Sequence, residues 1–142
     1  MAMRRPDSVS DEDTRYVGYN CVACVAAVLY NETHPHGGAT ANSVAARYDI
    51  RPNRDLDVTR AIAIITDFTS LNPTPGRMHP WDTTAPDGHY AVFCLGRRHV
   101  IYGHRGPGQL FYLYDPQTEQ DQASGPLQTA GFGPFQSVHF AG

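Results

Sequence analysis

Hydrophobic residues recur with helical spacing along the first half of the chain. Asn20 can cap a helix that begins at Cys21 and runs to about Asn31, because apolar side chains there recur at intervals of three and four residues. The stretch His34–Gly38 breaks this helix. A short second helix is predicted over Asn42–Tyr48, and a third over about Asp57–Leu71.

The second half of the chain changes to short runs rich in Val, Tyr, Phe and Leu, separated by Gly, Arg and Pro. Asn72–Gly76 is predicted to stop the third helix and to start a loop that continues to Gly88. The predicted strands are His89–Leu95, His99–Tyr102 and Gln109–Asp115, with Ser137–Phe140 as a further edge strand. Helices followed by antiparallel strands predict an α+β fold, in which N-terminal helices pack on a small antiparallel sheet.

The length of 142 residues allows one domain with a real core. Residues 1–13 are polar and lack hydrophobic periodicity, so they are predicted to be a flexible leader before a domain spanning 14–142. No apolar stretch approaches the length of about 18 residues that a membrane span needs, and no secretory leader is visible. We therefore expect no membrane insertion.

The amino-acid composition excludes several types of functional site. The basic residues are all arginine, so a phosphate-loop lysine and a pyridoxal Schiff base are excluded. The formal charge of −3 without a basic block argues against a nucleic-acid partner. Three cysteines are an odd set, which argues against a disulfide framework and for a reducing environment.

Cys21 stands at the predicted start of a helix, where unpaired N–H groups and the helix dipole favour negative charge. Such a position, together with a histidine partner, can lower the pKa of a thiol from about 8.5 into the range of about 3.5–7.5. Cys21 is therefore predicted to be a nucleophile, and Cys24, one turn deeper, to be core packing. Three alternatives stay open: a redox pair, half of a zinc site completed by His34 and His36, and two plain core cysteines.

The histidine partner can be chosen from strand register. The predicted turn is 105–108, and a hairpin that folds symmetrically about Pro107 places Tyr102 opposite Tyr112 and His99 opposite Asp115. Cross-strand partners have Cβ atoms about 4.5–5.5 Å apart, so the carboxylate could orient the imidazole. Cys21, His99 and Asp115 would then form a catalytic triad.

His89 is the rival, because residues 88–92 also resemble the histidine strand of papain-like enzymes. Pairing His89 with Asp115 would leave the strand-like segment Val100–Tyr102 inside a long connection, whereas a tight turn at Gly96–Arg98 needs no such loop. His99 is therefore preferred. Surface or structural roles are expected for the other histidines: His34, His36, His79, His104 and His139.

Several segments resemble one known family. Arg15 followed by Asn20–Ala27 resembles the opening motif of papain-fold bacterial toxins described as glutamine deamidases, which are C-terminal modules of polymorphic toxins. Thr40-Ala41 resembles the segment that follows in that family. His99–Tyr102 resembles its histidine strand, and Asp115–Thr118 resembles its aspartate motif. The similarity extends over most of the chain.

The resemblance implies a papain-like cysteine hydrolase fold with the triad Cys21, His99 and Asp115, and with no metal or organic cofactor. It also suggests that Asn20 and Gln117 lie near the oxyanion or the substrate amide. The implied activity is deamidation of a glutamine on a target-cell protein. The implied setting is a larger toxin that a bacterium secretes, that acts in the cytoplasm of the target cell, and that a cognate immunity protein blocks.

Other functions use the same triad. A papain-like protease is the first alternative, followed by a peptidoglycan amidase and a transglutaminase. The family often has glycines before its histidine, and this sequence has Arg97 and Arg98 there. The resemblance therefore implies the triad more strongly than it implies the substrate. A non-enzymatic binding module with cysteines in its core is the remaining alternative.

Overall fold

The computed structural model describes residues 20–50, 57–75, 86–94, 99–106, 112–116, 120–122 and 135–142. The leader predicted over residues 1–13 lies outside them. Within these residues three helices precede the strands: α1 (Asn20–Thr33), α2 (Ala41–Tyr48) and α3 (Val58–Thr69). Among the described helices, none has both the length and the apolar character needed to cross a membrane.

The helix ends follow from local side-chain chemistry. Thr40 accepts a hydrogen bond from the N–H of Ser43 and closes a capping box at the start of α2. Asp57 accepts from the N–H of Arg60 and caps α3. Ser70 adopts a left-handed conformation with a φ of 61°, so α3 ends at Thr69, two residues before its predicted end.

The first helix also differs from its predicted start. Asn20 is itself helical, one residue earlier than predicted, so it is not the residue that caps the helix from outside. Cys21 is therefore the second residue of α1. The last residue of α1 is Thr33, which matches the predicted break at His34–Gly38.

Six strands form one antiparallel sheet in the order β1-β6-β2-β3-β4-β5. The prediction of an α+β fold with helices and an antiparallel sheet is confirmed. The strands are β1 (Asn72–Pro75), β2 (Gly88–Cys94), β3 (His99–Arg105), β4 (Tyr112–Asp115), β5 (Gln120–Gln122) and β6 (Phe135–Ala141).

The sheet corrects the predicted strand pattern in two ways. β6 is not an edge strand, because it pairs with β1 on one side and with β2 on the other. The segment Asn72–Pro75 was predicted to be loop but forms the edge strand β1, where proline is tolerated because one side of the strand has no ladder to join. β5 forms the opposite edge and was not predicted.

The core lies mainly between the helices and one face of the sheet. Every residue of the segment Cys21–Leu29 is buried, so α1 is covered on all sides and is the central helix of the fold. α1 packs against α2, α3 and β3. A second, smaller cluster on the other face of the sheet contains Tyr90, Val92, Cys94, Ile101 and Leu113. Since α1 packs against β3, its N-terminal residues can meet those of that strand.

Candidate active site

Cys21 occupies the first turn of α1 and is only 3% exposed. The first four N–H groups of a helix have no partner within the helix, so this end carries both hydrogen-bond donors and the positive end of the dipole. All three cysteines of the chain are thiols and not disulfides. Cys21 therefore places a thiol beside the unpaired N–H groups at the start of the helix.

His99 is the first residue of β3, and Asp115 is the last residue of β4. The Nε2 atom of His99 lies 2.7 Å from Oδ2 of Asp115, a distance typical of a charge-assisted hydrogen bond. The two side chains are 13% and 7% exposed, so the pair is largely shielded from water. Neighbouring strands thus hold an imidazole and a carboxylate in contact.

The register that brings this pair together differs from the predicted one. Tyr102 lies opposite Tyr114, and not opposite Tyr112, so the β3–β4 ladder is shifted by two residues. The same ladder puts Asp115 opposite Ile101, which makes His99 its diagonal neighbour. A shift of two residues keeps every side chain on its own face of the sheet, because successive side chains alternate. The predicted contact therefore forms, although the predicted direct opposition was wrong.

Opposing effects set the charge of His99. Burial lowers its pKa, but hydrogen bonds to Asp115 and to the side chain of Cys21, together with the negative charge of both groups, outweigh burial and raise the pKa to about 10. His99 is thus protonated at neutral pH. The structure brings Cys21, His99 and Asp115 into one continuous hydrogen-bonded chain.

The contact between His99 and Asp115 uses the Nε2 atom of the ring. This leaves Nδ1 as the ring nitrogen available for the contact with Cys21. An imidazolium in this position can stabilise a thiolate and can later release a proton to a leaving group. The carboxylate fixes the orientation of the ring and balances its charge.

His89, the rival histidine, lies at the other end of the sheet. It is opposite His104 in the β2–β3 ladder, and its Nδ1 atom lies 2.6 Å from the hydroxyl oxygen of Tyr102, within hydrogen-bond distance. His104 is five residues along β3 from His99, which corresponds to about 17 Å at 3.3 Å per residue. His89 is therefore too far from Asp115 to join the chain of Cys21 and His99.

The alternative zinc site is not formed. The ring of His34 stacks on Tyr30 with centroids 3.9 Å apart, and His34 Nδ1 lies 3.0 Å from the Tyr30 carbonyl oxygen. His36 is exposed. Within the described part of the chain, no group of three or more His, Cys, Asp and Glu side chains is arranged to hold a metal ion.

Cys94 is a neighbour of the site that the sequence analysis did not assign. It is buried and lies opposite His99 in the β2–β3 ladder. The predicted tight turn at Gly96–Arg98 is centred on residue 97 and would place residue 95 opposite residue 99, so the sequence did not predict this pairing. Cys24, by contrast, is fully buried in the core as predicted.

Two of the predicted site residues have no described side chain. Asn20 belongs to α1, but only its backbone is described, and Gln117 lies outside the described residues, as does His79. Their suggested roles stay predictions. His139, in β6, is within hydrogen-bond distance of the Asp87 carbonyl oxygen, with Nε2 3.0 Å away.

Comparison of the chain with protein-family models, curated proteins and solved structures finds no match. The residues of the site and the sequence resemblance are therefore the basis for a proposed function.

Proposed function

We propose that this protein is a cysteine-dependent glutamine deamidase of papain-like architecture that acts on a protein of a target cell. The observation that carries the proposal is the buried chain from Cys21 through His99 to Asp115, which begins at the N-terminal end of the central helix. A histidine held between a cysteine and a carboxylate is an arrangement that supports nucleophilic attack on an amide.

In the first half of the proposed reaction, the Cys21 thiolate attacks the side-chain carboxamide carbon of glutamine. The resulting oxyanion faces the unpaired N–H groups at the start of α1, which stabilise its charge. His99 then gives its proton to the leaving nitrogen, the C–N bond breaks, and ammonia departs. A thioester with Cys21 remains.

In the second half, a water molecule loses its proton to the now neutral His99 and attacks the thioester carbon. The C–S bond breaks, the Cys21 thiolate and protonated His99 are restored, and the side chain of the target becomes glutamate. Asp115 keeps the ring oriented throughout. The proposed reaction uses no metal or organic cofactor.

The wider biological setting follows from the resemblance to polymorphic-toxin modules and forms part of the proposal. The domain would be delivered by a bacterium within a larger secreted toxin and would act in the cytoplasm of the target cell. A cognate immunity protein would protect the producer by covering the site around Cys21. A charged glutamate in place of a neutral glutamine would disable the target protein.

The test is a comparison of target-cell lysates treated with the wild-type protein or with Cys21→Ala. Both lysates are analysed by mass spectrometry for glutamine-to-glutamate conversions and for new protein N-termini. We expect a few strongly enriched conversions with the wild-type protein and, with Cys21→Ala, a loss of activity of at least about 10⁴-fold. New N-termini without conversions would replace the proposal with the protease alternative.

Cys24→Ala is the matched control, because it removes the same atom from the same helix one turn away from the His99 contact. It should keep the conversions, while both variants should remain folded with a loss of about 1–2 kcal/mol in the free energy of unfolding. Undiminished conversion by folded Cys21→Ala would overturn the assignment of the nucleophile.

A further inference from the structure

Cys24 lies close to Cys21 on α1, in addition to packing in the core. It follows Cys21 by three residues on α1, so the two side chains lie one above the other on the same side of the helix. Helix geometry puts their Cα atoms about 5 Å apart. Disulfides span Cα separations of about 4.4–6.8 Å, so the backbone already satisfies this requirement.

The Cβ atoms of Cys21 and Cys24 must move closer together to form a disulfide, and the first turn of α1 allows this movement. Cβ atoms three residues apart on a helix are separated by about 5–6 Å, whereas a disulfide needs about 3.5–4.5 Å. Cys21 is the second residue of α1, and its N–H has no partner within the helix. A small rotation of this first turn brings the sulfurs together without breaking a helical hydrogen bond donated by Cys21.

The second observation is the contact between Cys21 and His99. A thiol becomes reactive toward oxidants as the thiolate, and the Cys21 thiol hydrogen-bonds His99, which the buried Asp115 carboxylate keeps protonated. The reactive thiol and its nearest cysteine on the helix therefore share one turn.

We propose that Cys21 and Cys24 form a reversible disulfide when the protein meets a hydroperoxide, and that this bond switches the site off. The inference rests on the reactive Cys21 of the proposed function, but it does not depend on glutamine as the substrate. In the disulfide, Cys21 has no thiolate with which to attack an amide.

The reaction balances with hydrogen peroxide as the oxidant. The Cys21 thiolate attacks one peroxide oxygen, an S–O bond forms, the O–O bond breaks, and the departing hydroxide takes a proton from His99 to become water. The Cys24 sulfur then attacks the Cys21 sulfur, and the S–S bond replaces the S–O bond. The hydroxyl leaves with the Cys24 proton as a second water. Two thiols are oxidised and one peroxide is reduced.

Cys94 provides the structural alternative. It lies opposite His99 on β2 and is also buried. However, it belongs to a different hydrophobic cluster from Cys21 and Cys24, which share the cluster beneath the helices. Peptide mapping separates the two partners, because cleavage after arginine leaves Cys21 and Cys24 in the peptide 16–47 and Cys94 in a different one.

The experiment treats the full chain with hydrogen peroxide, blocks remaining thiols with iodoacetamide, and maps the peptides by mass spectrometry. In the wild-type protein and in Cys94→Ala, peptide 16–47 should lose the mass of two hydrogen atoms and escape alkylation, and dithiothreitol should reverse both changes. In Cys24→Ala, Cys21 should instead gain oxygen atoms that dithiothreitol does not remove.

Several results would overturn the switch. These are oxygen addition at Cys21 of the wild-type protein without a disulfide, a link between Cys21 and Cys94, or a disulfide between two chains. The wild-type map decides the question even if Cys24→Ala fails to fold. Because the readout is mass and needs no substrate, the switch can fail while the deamidase proposal stands, and the reverse also holds.

Discussion

The Nε2 atom of His99 lies 2.7 Å from Oδ2 of Asp115, although their backbones occupy diagonal positions on neighbouring strands. Diagonal residues in an antiparallel ladder are about 7–8 Å apart, which only long or ring-shaped side chains can bridge. The imidazole spans this gap and reaches Asp115 with its outer nitrogen. The contact therefore depends both on the length of the histidine ring and on the register of β3 against β4.

Replacing Asp115 with Asn should lower the pKa of His99 from about 10. Asparagine keeps an oxygen near Nε2 but removes the negative charge, so only the contact with Cys21 still opposes the effect of burial. NMR titration of the His99 ring measures the change directly. Activity on the target protein at pH 7 should fall by about 10²–10⁴-fold.

Asp67→Asn is the control for this titration. Asp67 is an exposed carboxylate on α3 that accepts a hydrogen bond from Tyr48. Its replacement should leave the titration of His99 in place. A His99 pKa that stays near 10 in Asp115→Asn would show that Asp115 does not hold the proton on the ring.

The same pair predicts a loss of stability at alkaline pH. His99 has a pKa of about 10 in the folded protein and about 6.5 in the unfolded chain, so its contribution is complete below pH 6.5 and disappears as the pH rises through 10. Urea denaturation between pH 6.5 and 10 should therefore show a steeper decline for the wild-type protein than for His99→Gln. Parallel curves for the two proteins would contradict the predicted linkage.

His89 should make the opposite contribution. Burial, together with the neighbouring His104 and His139, lowers the pKa of His89 to about 4. Its contribution to stability is therefore complete above the unfolded value of about 6.5 and is lost as the pH falls through 4. Allowing for its partial exposure, the loss should be on the order of 1–2 kcal/mol.

His89→Gln isolates this effect, because glutamine does not titrate and can still accept a hydrogen bond from Tyr102. The difference in the free energy of unfolding between the two proteins, measured by urea denaturation, should change between pH 7 and pH 4. A constant difference would mean that protonation of His89 does not destabilise the fold.

Asn31 should be important for stability, although it lies far from the proposed chemistry. Its side-chain amide donates to the carbonyl of Ala39 at 2.9 Å, and its oxygen accepts from the Ala39 N–H at 2.7 Å. Both groups are buried, so Asn31→Ala leaves a donor and an acceptor without a partner. The free energy of unfolding should fall by about 2–3 kcal/mol in urea denaturation.

Asn42→Ala provides the comparison, because Asn42 is exposed on α2 and its replacement should cost at most about 0.5 kcal/mol. Equal effects of the two replacements would show that the link between α1 and the segment before α2 is unimportant.

The predictable parts of this fold are those governed by local patterns. The helices were predictable because their hydrophobic spacing repeats within a short stretch of sequence, as in α3. The one predicted cap, Asn20, is instead part of α1. β1 and β5 were missed because an edge strand needs neither apolar alternation nor β-branched residues: β1 contains Pro73 and Pro75, and β5 reads Gln-Asp-Gln.

The contact between His99 and Asp115 was predictable because side chains alternate between the two faces of a sheet. His99 and Asp115 stay on one face of the sheet whether the ladder is centred on residue 107 or on residue 108, so the error of two residues did not separate them. The exact register was not predictable because the connection between β3 and β4 carries no two-residue turn signal. The hydrogen bonds between Asn31 and Ala39 were not predicted either. They join α1 to the connection before α2, where the helical periodicity of the sequence is interrupted.

The interior position of β6 has a consequence for how the protein folds. Until residues 135–141 are present, β1 has no neighbour, and β2 has only β3 beside it. The pairing of Asn72 with Ala141 closes a very long loop, which makes it a slow, non-local event. During synthesis, the helices and the β2–β3 hairpin can therefore form early. The edge of β2 that later pairs with β6 stays exposed until β6 is made, and it can pair with other chains during that time.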